Sequence, residues 1–555
     1  MKRDKIICAI ALAALSLQTV SAEVLDKEVT VTRAYTPTVG EATKLTLTPD
    51  TSDNTYIKPD IDYSITPISI GTTFNNDLYS PTQMSFGKYD PYDPFYVKLG
   101  VGLPLNSVVD LYASSVDASN GYIMGYVNQD GRFAKIENDY GEKSGSSQNH
   151  MRVGVAGGLY RGNKTLDGAL NYNYDRWSRY ATSTLYDTNP LYQDIEFRGR
   201  YGDNFLNLER FNFAIEADAK YFWSRSDVNS MTLGASGSFG YRILNGDVVF
   251  SLGYNNISGS DDYNNDTFMA ALSYGYSNDK LALGLGFRFY SDNVDLGEDK
   301  TVDGLDKITN YFLPVVNLDY KVNDDKVTLY FAADGEFRYN DFATLSGINP
   351  YLSPELIVPK SSLESDIDLG LKGRAAGDKF GYNIHVGFTY IKNNLYWAYY
   401  QMTDTDSTEN MFLASYSDQH NINVNVDLEY KPLSDLLLQF GISHANYTND
   451  RDQQYADGVA NTKLRFAGEY NLSKLSFGLN AQLLSSRECG QIIDANYSTV
   501  EIPTTFDMGA SVDYRYKDNF VIFADVNNIF NSDIYNWVYY REYGINFVAG
   551  VKIKF

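Results

Sequence analysis

The last twelve residues, Gly544 to Phe555 (GINFVAGVKIKF), change character at every step. Ile545, Phe547, Ala549, Val551, Ile553 and Phe555 share one parity, and Asn546, Gly550, Lys552 and Lys554 share the other, with Val548 the one apolar exception. A period of two puts successive side chains on opposite faces of a strand, so this segment has one apolar and one mostly polar face. The pattern recurs. Leu281, Leu283, Leu285, Phe287 and Phe289 oppose Ala282, Gly284, Gly286 and Arg288. Ile422, Val424, Val426, Leu428 and Tyr430 oppose Asn423, Asn425, Asp427 and Glu429, and Leu475, Phe477, Leu479, Ala481 and Leu483 oppose Ser476, Gly478, Asn480 and Gln482. Small and polar faces argue against a sandwich core on that side, whereas a strand between lipid and a wet lumen requires this division.

The connections between such strands are of two kinds. Tight turns rich in Asn, Asp, Gly and Lys recur at Gly162-Asn163-Lys164, Asp203-Asn204, Asn245-Gly246-Asp247, Asn278-Asp279-Lys280, Asn323 to Lys326, Gly377-Asp378-Lys379, Ser434-Asp435 and Lys517-Asp518-Asn519. These residues tolerate the left-handed backbone that hairpins demand. Between them lie longer connections, Ser291 to Asp306, Asn340 to Ser362, Thr448 to Ala460 and Ser486 to Ile502. Alternating short and long connections are the rhythm of an all-β, up-and-down antiparallel transmembrane barrel with short periplasmic turns and long outer loops. Counting back from Phe555 gives about 22 strands, within a range of roughly 20 to 24, starting near Phe95 or as early as Ile65.

The N-terminus accounts for how such a chain reaches an outer membrane. Lys2, Arg3 and Lys5 precede an apolar run from Ile6 to Leu17 and a Val20-Ser21-Ala22 site, the pattern of a secretory signal peptide over residues 1–22. Residues 23–61 are polar and rich in Thr and read as a periplasmic tail; the barrel is expected over residues 62–555. No later stretch approaches the roughly 20 apolar residues that a spanning helix needs. A mean hydropathy of −0.33 is compatible with membrane residence, because barrel strands dilute each outward apolar residue with an inward polar one. Cys8 falls in the signal peptide and leaves Cys489 alone, which rules out an internal disulfide or a Cys-cluster metal site in the mature chain. The composition of 47 Tyr and 30 Phe against 4 Trp fits aromatic girdles at two membrane interfaces. A formal charge of −24 argues against nucleic acid as a partner. The acidic stretches Asp261 to Asp266 and Asp404 to Asn410 read as solvated loops.

The C-terminal end resembles the barrel of TonB-dependent receptors. Val526-Asn527-Asn528-Ile529-Phe530-Asn531 followed by Tyr535 is similar to that family's penultimate-strand motif, and Pro503 to Asp507 followed by Gly509, Ser511 and Tyr514 resembles the strand before it. Gly550, Ile553 and Phe555 match the spacing of the signal read by the barrel-assembly machinery, with Val548 where a polar residue is usual. Near the mature N-terminus, Glu28, Val29, Thr30, Val31 and Thr32 lie in a segment similar to the box by which such receptors engage TonB, and an extended β-branched run suits strand addition to a partner. The family's plug domain has no counterpart between Arg33 and the first strand. The chain as a whole resembles the plug-less, barrel-only proteins of Bacteroidetes-type genomes labelled TonB-dependent-receptor-like. The resemblance implies solute uptake or passage across the outer membrane; the alternative is a structural or assembly barrel anchoring an envelope complex. The implied partners are outer-membrane lipid, the barrel-assembly machinery, and TonB or another periplasmic envelope protein.

No catalytic, cofactor or metal constellation is expected. Of His150, His385, His420 and His444, His444 continues a lipid-facing row and His385 falls on a lumenal one. Ser443 and His444 occupy opposite faces of one strand, which excludes a Ser/His nucleophilic pair. Arg288, Asp366, Asp368, Lys372, Asp427 and Glu429 are expected to face the lumen, as a neutralising ladder or as groups that set the field seen by a solute. The dense cluster Tyr396, Trp397, Tyr399 and Tyr400 reads as an interfacial girdle in preference to a sugar-stacking platform.

Overall fold

The computed structural model describes residues 94–115, 120–137, 141, 143–181, 189–260, 263–295, 308–323, 326–354, 361–377, 379–401, 411–449, 458–494 and 496–555. Residues 1–93, over which the signal peptide and the tail with Glu28 to Thr32 are expected, and the acidic stretch Asp404 to Asn410 lie outside these residues.

Of the 24 strands in the main sheet, two form a hairpin outside the wall; the other 22 pair antiparallel with their neighbours in sequence. The first, Phe95–Leu103, closes the ring on the last, Asn546–Lys554. This is the up-and-down barrel that the alternation predicts, with its wall starting at Phe95, the later of the two expected starts. No helix among the described residues is long and apolar enough to cross a membrane.

At the seam the backbones approach without side chains between them. Gly100 and Gly550 are register partners, and a Cβ on Gly550 would stand 1.9 Å from the Leu99 carbonyl oxygen. The buried ring of Phe523 lies against both glycines, with the Lys98 and Lys552 ammonium groups 5.0 and 5.4 Å from its centroid. Val548 faces inward beside this ring, so the one apolar residue on the polar face of the last strand packs into the seam. Phe555 stacks on Phe95 at 5.3 Å where the ring ends.

Outside the seam the two faces divide as alternation requires. Ile384, Val386 and Phe388 are exposed on the outer face, while Asn383, His385, Gly387 and Thr389 turn inward. Exposed Tyr201, Tyr241, Tyr320, Tyr430, Tyr470 and Tyr516 ring one end of the outer surface, and Tyr172, Tyr221, Trp223 and Tyr254 gather near the other. The first set is spread over six strands, as a girdle at one membrane interface requires, whereas the second is confined to one arc of the wall, Lys164–Arg176 to Gly246–Gly259.

The ends of the barrel differ. Every tight turn named from the sequence falls at the end that carries Phe95 and Phe555, and every long connection falls at the opposite end. At the tight end, Leu244 and Asn245 both adopt left-handed backbone (φ 53° and 62°), the geometry that matches a two-residue turn to twisted strands. One expectation changes in detail. The connection Ser486 to Ile502 is a hairpin, Arg487–Ile493 with Asn496–Ile502, whose first strand runs parallel beside Ala398 to Gln401. Its β-branched Ile492, Ile493, Thr499, Val500 and Ile502 favour strand, and Asp494 (φ 49°) makes the turn. The wall strands beside it, Phe380–Gln401 and Met411–Leu433, have 22 and 23 residues. That is about twice the 9–11 residues a tilted strand needs to span a membrane, so both rise well above it.

Candidate functional site

At the long-loop end, described residues from five connections, 133–147, 177–190, 339–361, 485–504 and 528–545, share one buried core with the tops of the strands flanking 402–410. These segments leave the wall at points distributed around the ring. Apolar residues from opposite sides of the ring can share a core only if the loops fold across the mouth, so this core is a cap.

Three tyrosines mark its centre. Tyr180, Tyr351 and Tyr540 come from loops about a third of the circumference apart, and all are buried. Tyr351 lies flat on Tyr540 with centroids 3.6 Å apart, and Tyr180 meets Tyr540 edge-on at 5.1 Å. Burial raises the pKa of all three phenols well above the ordinary value of 10, so they stay neutral. The Tyr180 hydroxyl donates to the Arg541 carbonyl at 2.9 Å. A short helix, Phe342–Ile348, brings Tyr351 into place: Asp341 caps it by accepting from the Ala343 and Thr344 amides, and Leu345 points into the cap core. Downstream, the Tyr192 hydroxyl donates to the Pro350 carbonyl at 2.8 Å, and Leu352 bridges to Phe412.

One loop touches all the others. In residues 528–545, Trp537 packs edge-on against Trp397 (5.8 Å) and Phe412 (5.1 Å). The Tyr539 ring meets Tyr399, and its hydroxyl donates to Gln491 of the hairpin at 2.6 Å. Arg132 pairs with Glu542 at 2.9 Å, and the Ser146 hydroxyl donates to Tyr543 at 2.8 Å. Arg487, nearly fully buried, donates from Nη2 to the Tyr535 carbonyl, while its buried Nη1 has no acceptor among the described residues. Burial lowers the pKa of this guanidinium. The loop base is tied by Asn528, in left-handed backbone (φ 46°), whose amide donates to the carbonyls of Ser532 (2.8 Å) and Tyr543 (3.2 Å).

The girdle expectation for Tyr396, Trp397, Tyr399 and Tyr400 is corrected here. Tyr396, Trp397 and Tyr399 are buried, with Trp397 and Tyr399 in the cap core, because the long strands carry them above the membrane and the hairpin and residues 528–545 cover them. The inward charges fall where alternation puts them, and most are paired: Arg288 with Asp334 (3.2 Å), Lys372 with Asp319 (2.8 Å), Glu429 with Lys431 (3.2 Å) and Arg374 (3.6 Å). Asp366 accepts from the Thr389 hydroxyl, Asp368 lies 4.0 Å from His385, and Asp427 is register partner to Asn383. The pairing is uneven around the wall. Glu196, Arg198 and Arg200 oppose Lys220, Asp218 and Glu216, a complementary ladder, whereas Asp334 opposes Asp366 and Glu336 opposes Glu364. Such like-charge neighbours cost stability unless cations stand between them, as Arg288 and Arg338 do. His444 is exposed on the outer face, 2.9 Å from the Thr462 hydroxyl; His150 faces inward, 2.8 Å from Asp175. Among the described residues no three His, Cys, Asp or Glu side chains group to hold a metal ion. Gly550, Ile553 and Phe555 come together at the seam, Gly550 inward and the other two outward.

The tyrosine triad was not singled out from the sequence. The one available signal is that Tyr351 and Tyr540 are aromatic residues in connections where polar residues are the rule.

No protein family's sequence profile matches the chain, and no curated protein sequence matches it. Solved structures do. The copper transporter OprC aligns over 84% of each chain at 14% identity with a TM-score of 0.62. The FrpB iron transporter from Neisseria meningitidis (F5-1 variant) aligns over 84% of this chain and 83% of its own at 13% identity, TM-score 0.63. The pyoverdine outer membrane receptor FpvA from Pseudomonas aeruginosa PAO1, bound to pyoverdine, aligns over 84% and 80% at 12% identity, TM-score 0.58. At these identities the likeness is one of fold: the chain has the large-barrel architecture found in outer-membrane transporters and receptors.

Proposed function

We propose that this chain is an outer-membrane barrel of the plug-less, TonB-dependent-receptor-like class that passes a solute too large for simple porins. The observation that carries this reading is the closed wall of 22 strands, apolar outward and lined inward with paired charges and amides. In that orientation Phe95 and Phe555 face the periplasm and the cap faces outward. Residues 1–22 direct export, Gly550, Ile553 and Phe555 serve as the assembly signal, and Glu28 to Thr32 in the tail offer a strand to TonB. The copper, iron and pyoverdine proteins that share the fold put metal complexes among the solutes to try first.

The test is single-channel recording of the refolded mature chain beside two trimmed forms, one lacking residues 23–61 and one also having residues 532–542 replaced by a Gly-Ser linker. Stepwise currents in any of these support a passage. Silence in all three, with folded barrels verified by heat-modifiable mobility, overturns the reading. The TonB assignment has its own check: a peptide spanning Leu25 to Arg33 is expected to bind the purified periplasmic domain of TonB, and Val29→Pro with Val31→Pro to abolish binding.

A further inference from the structure

We propose that residues 528–545 are the keystone of a gate: this one loop holds the other cap segments shut over the barrel mouth, and its withdrawal opens the passage. The inference rests on the passage reading above and adds to it the element that controls access.

Its contacts support this role more than that of any other cap segment. Trp537, Tyr539, Tyr540, Glu542 and Tyr543 reach, in turn, the tops of the long strands, the hairpin, the Tyr180 and Tyr351 loops, and the segment between Arg132 and Ser146. The other segments converge on it from around the ring, so removing it takes away their common surface.

The loop is also built to move as a unit. Its only internal sheet, Tyr535–Trp537 with Tyr540–Arg541, is separate from the wall sheet, and its backbone bond to the wall lies at the loop base, where the Ile529 amide donates to the Met508 carbonyl at 3.0 Å, so the part beyond Asn531 can swing with the wall ladder intact. Both ends are tied by asparagines in left-handed backbone: Asn528, and Asn531 (φ 54°), whose Oδ1 accepts the Ile545 amide at 2.9 Å. Tyr539 is held at φ 66°, a left-handed backbone that is strained for a bulky L-residue and is relieved when the loop swings out.

The closed state carries a second opposing term. Arg487 is buried against the loop with a backbone carbonyl as acceptor and no carboxylate in an ion pair among the described residues, and a desolvated cation favours the open, hydrated arrangement. Aromatic packing holds the cap shut while Arg487 and Tyr539 work against it, which keeps the two states close in free energy.

The test records single channels from the full mature chain, from Trp537→Ala with Tyr540→Ala, and from the form lacking residues 23–61, each with its folded barrel checked by heat-modifiable mobility. The expected result is a mostly closed intact channel and an open fraction raised about tenfold or more in the double variant. A steadily open intact channel overturns the keystone and leaves the passage standing. So do a double variant indistinguishable from the intact chain and opening only after tail deletion. If the form lacking both the tail and residues 532–542 is also silent, the passage reading itself fails.

Discussion

Gly100 and Gly550 stand opposite each other where the ring closes, and neither has room for a side chain. A Cβ on Gly550 would be 1.9 Å from the Leu99 carbonyl oxygen and 2.7 Å from the Gly100 Cα, both backbone atoms that cannot yield without opening the ladder. Gly550→Val is therefore expected to destabilise the barrel by about 1–3 kcal/mol or to block closure. A lower urea midpoint, or loss of the heat-modifiable folded band, checks this. A variant with an unchanged midpoint would mean that the seam relaxes in a way this packing does not allow.

The seam also shows what the sequence could and could not disclose. The two-residue period of the last strand is enough to give its inward and outward faces, because alternation is a local property of extended backbone. The end to which each connection belongs followed for the same reason, since residues such as Asn245 and Gly162 announce a tight turn without help from distant partners. Val548 was legible only as an exception; its partner Phe523 lies one strand away across a gap that two glycines create. The cap was less legible still. Tyr180, Tyr351 and Tyr540 are far apart in sequence, and no periodicity links residues whose meeting depends on loops crossing a mouth. Trp397 was noticed but placed in a girdle, because strand length beyond the membrane is not written in alternation.

Arg132 and Glu542 join the third wall strand to the keystone loop through a pair 2.9 Å apart, with most of both side chains buried. Removing one member leaves the other charged in a poorly solvated site, a change of about 3 kcal/mol in closely buried pairs and less here because some water reaches the arginine. Glu542→Gln is expected to make residues 528–545 cleavable by added protease while the barrel stays folded. The double change Arg132→Met with Glu542→Met removes both charges and should restore most of the resistance. If the double variant is cut as readily as the single one, the pair does not act as described.

Arg288 stands where two acidic strands face each other. Its Nη1 donates to the Gly335 carbonyl at 2.9 Å and lies 3.2 Å from Asp334, which is register partner to Asp366. Arg288→Leu takes away a cation and a buried donor together, at an expected cost of about 1–3 kcal/mol. The same change leaves the wall one charge more negative. In a background opened by replacing residues 532–542, the reversal potential in a potassium chloride gradient should move toward cation preference, and a move toward anions would contradict the inward placement of this side chain.

The tyrosine triad gives the cap a pH limit whose direction follows from the phenols. Burial raises the pKa of Tyr180, Tyr351 and Tyr540 above 10 in the closed cap, whereas in an open cap they titrate near 10. A group whose closed-state pKa is raised contributes its full stabilisation below the open-state value and loses it as pH climbs beyond that value. Closure should thus be indifferent to pH through the neutral range and weaken above pH 10. Tyrosinate absorbance of the intact protein is expected to rise late and then cooperatively as the cap gives way, with channel openings appearing over the same interval. Tyr540→Phe keeps the ring that stacks on Tyr351 but removes one of the three protons, so it should make the alkaline transition shallower without opening the channel at neutral pH. Openings that begin well below pH 10 in the intact chain would show that something other than the phenols limits the closed state.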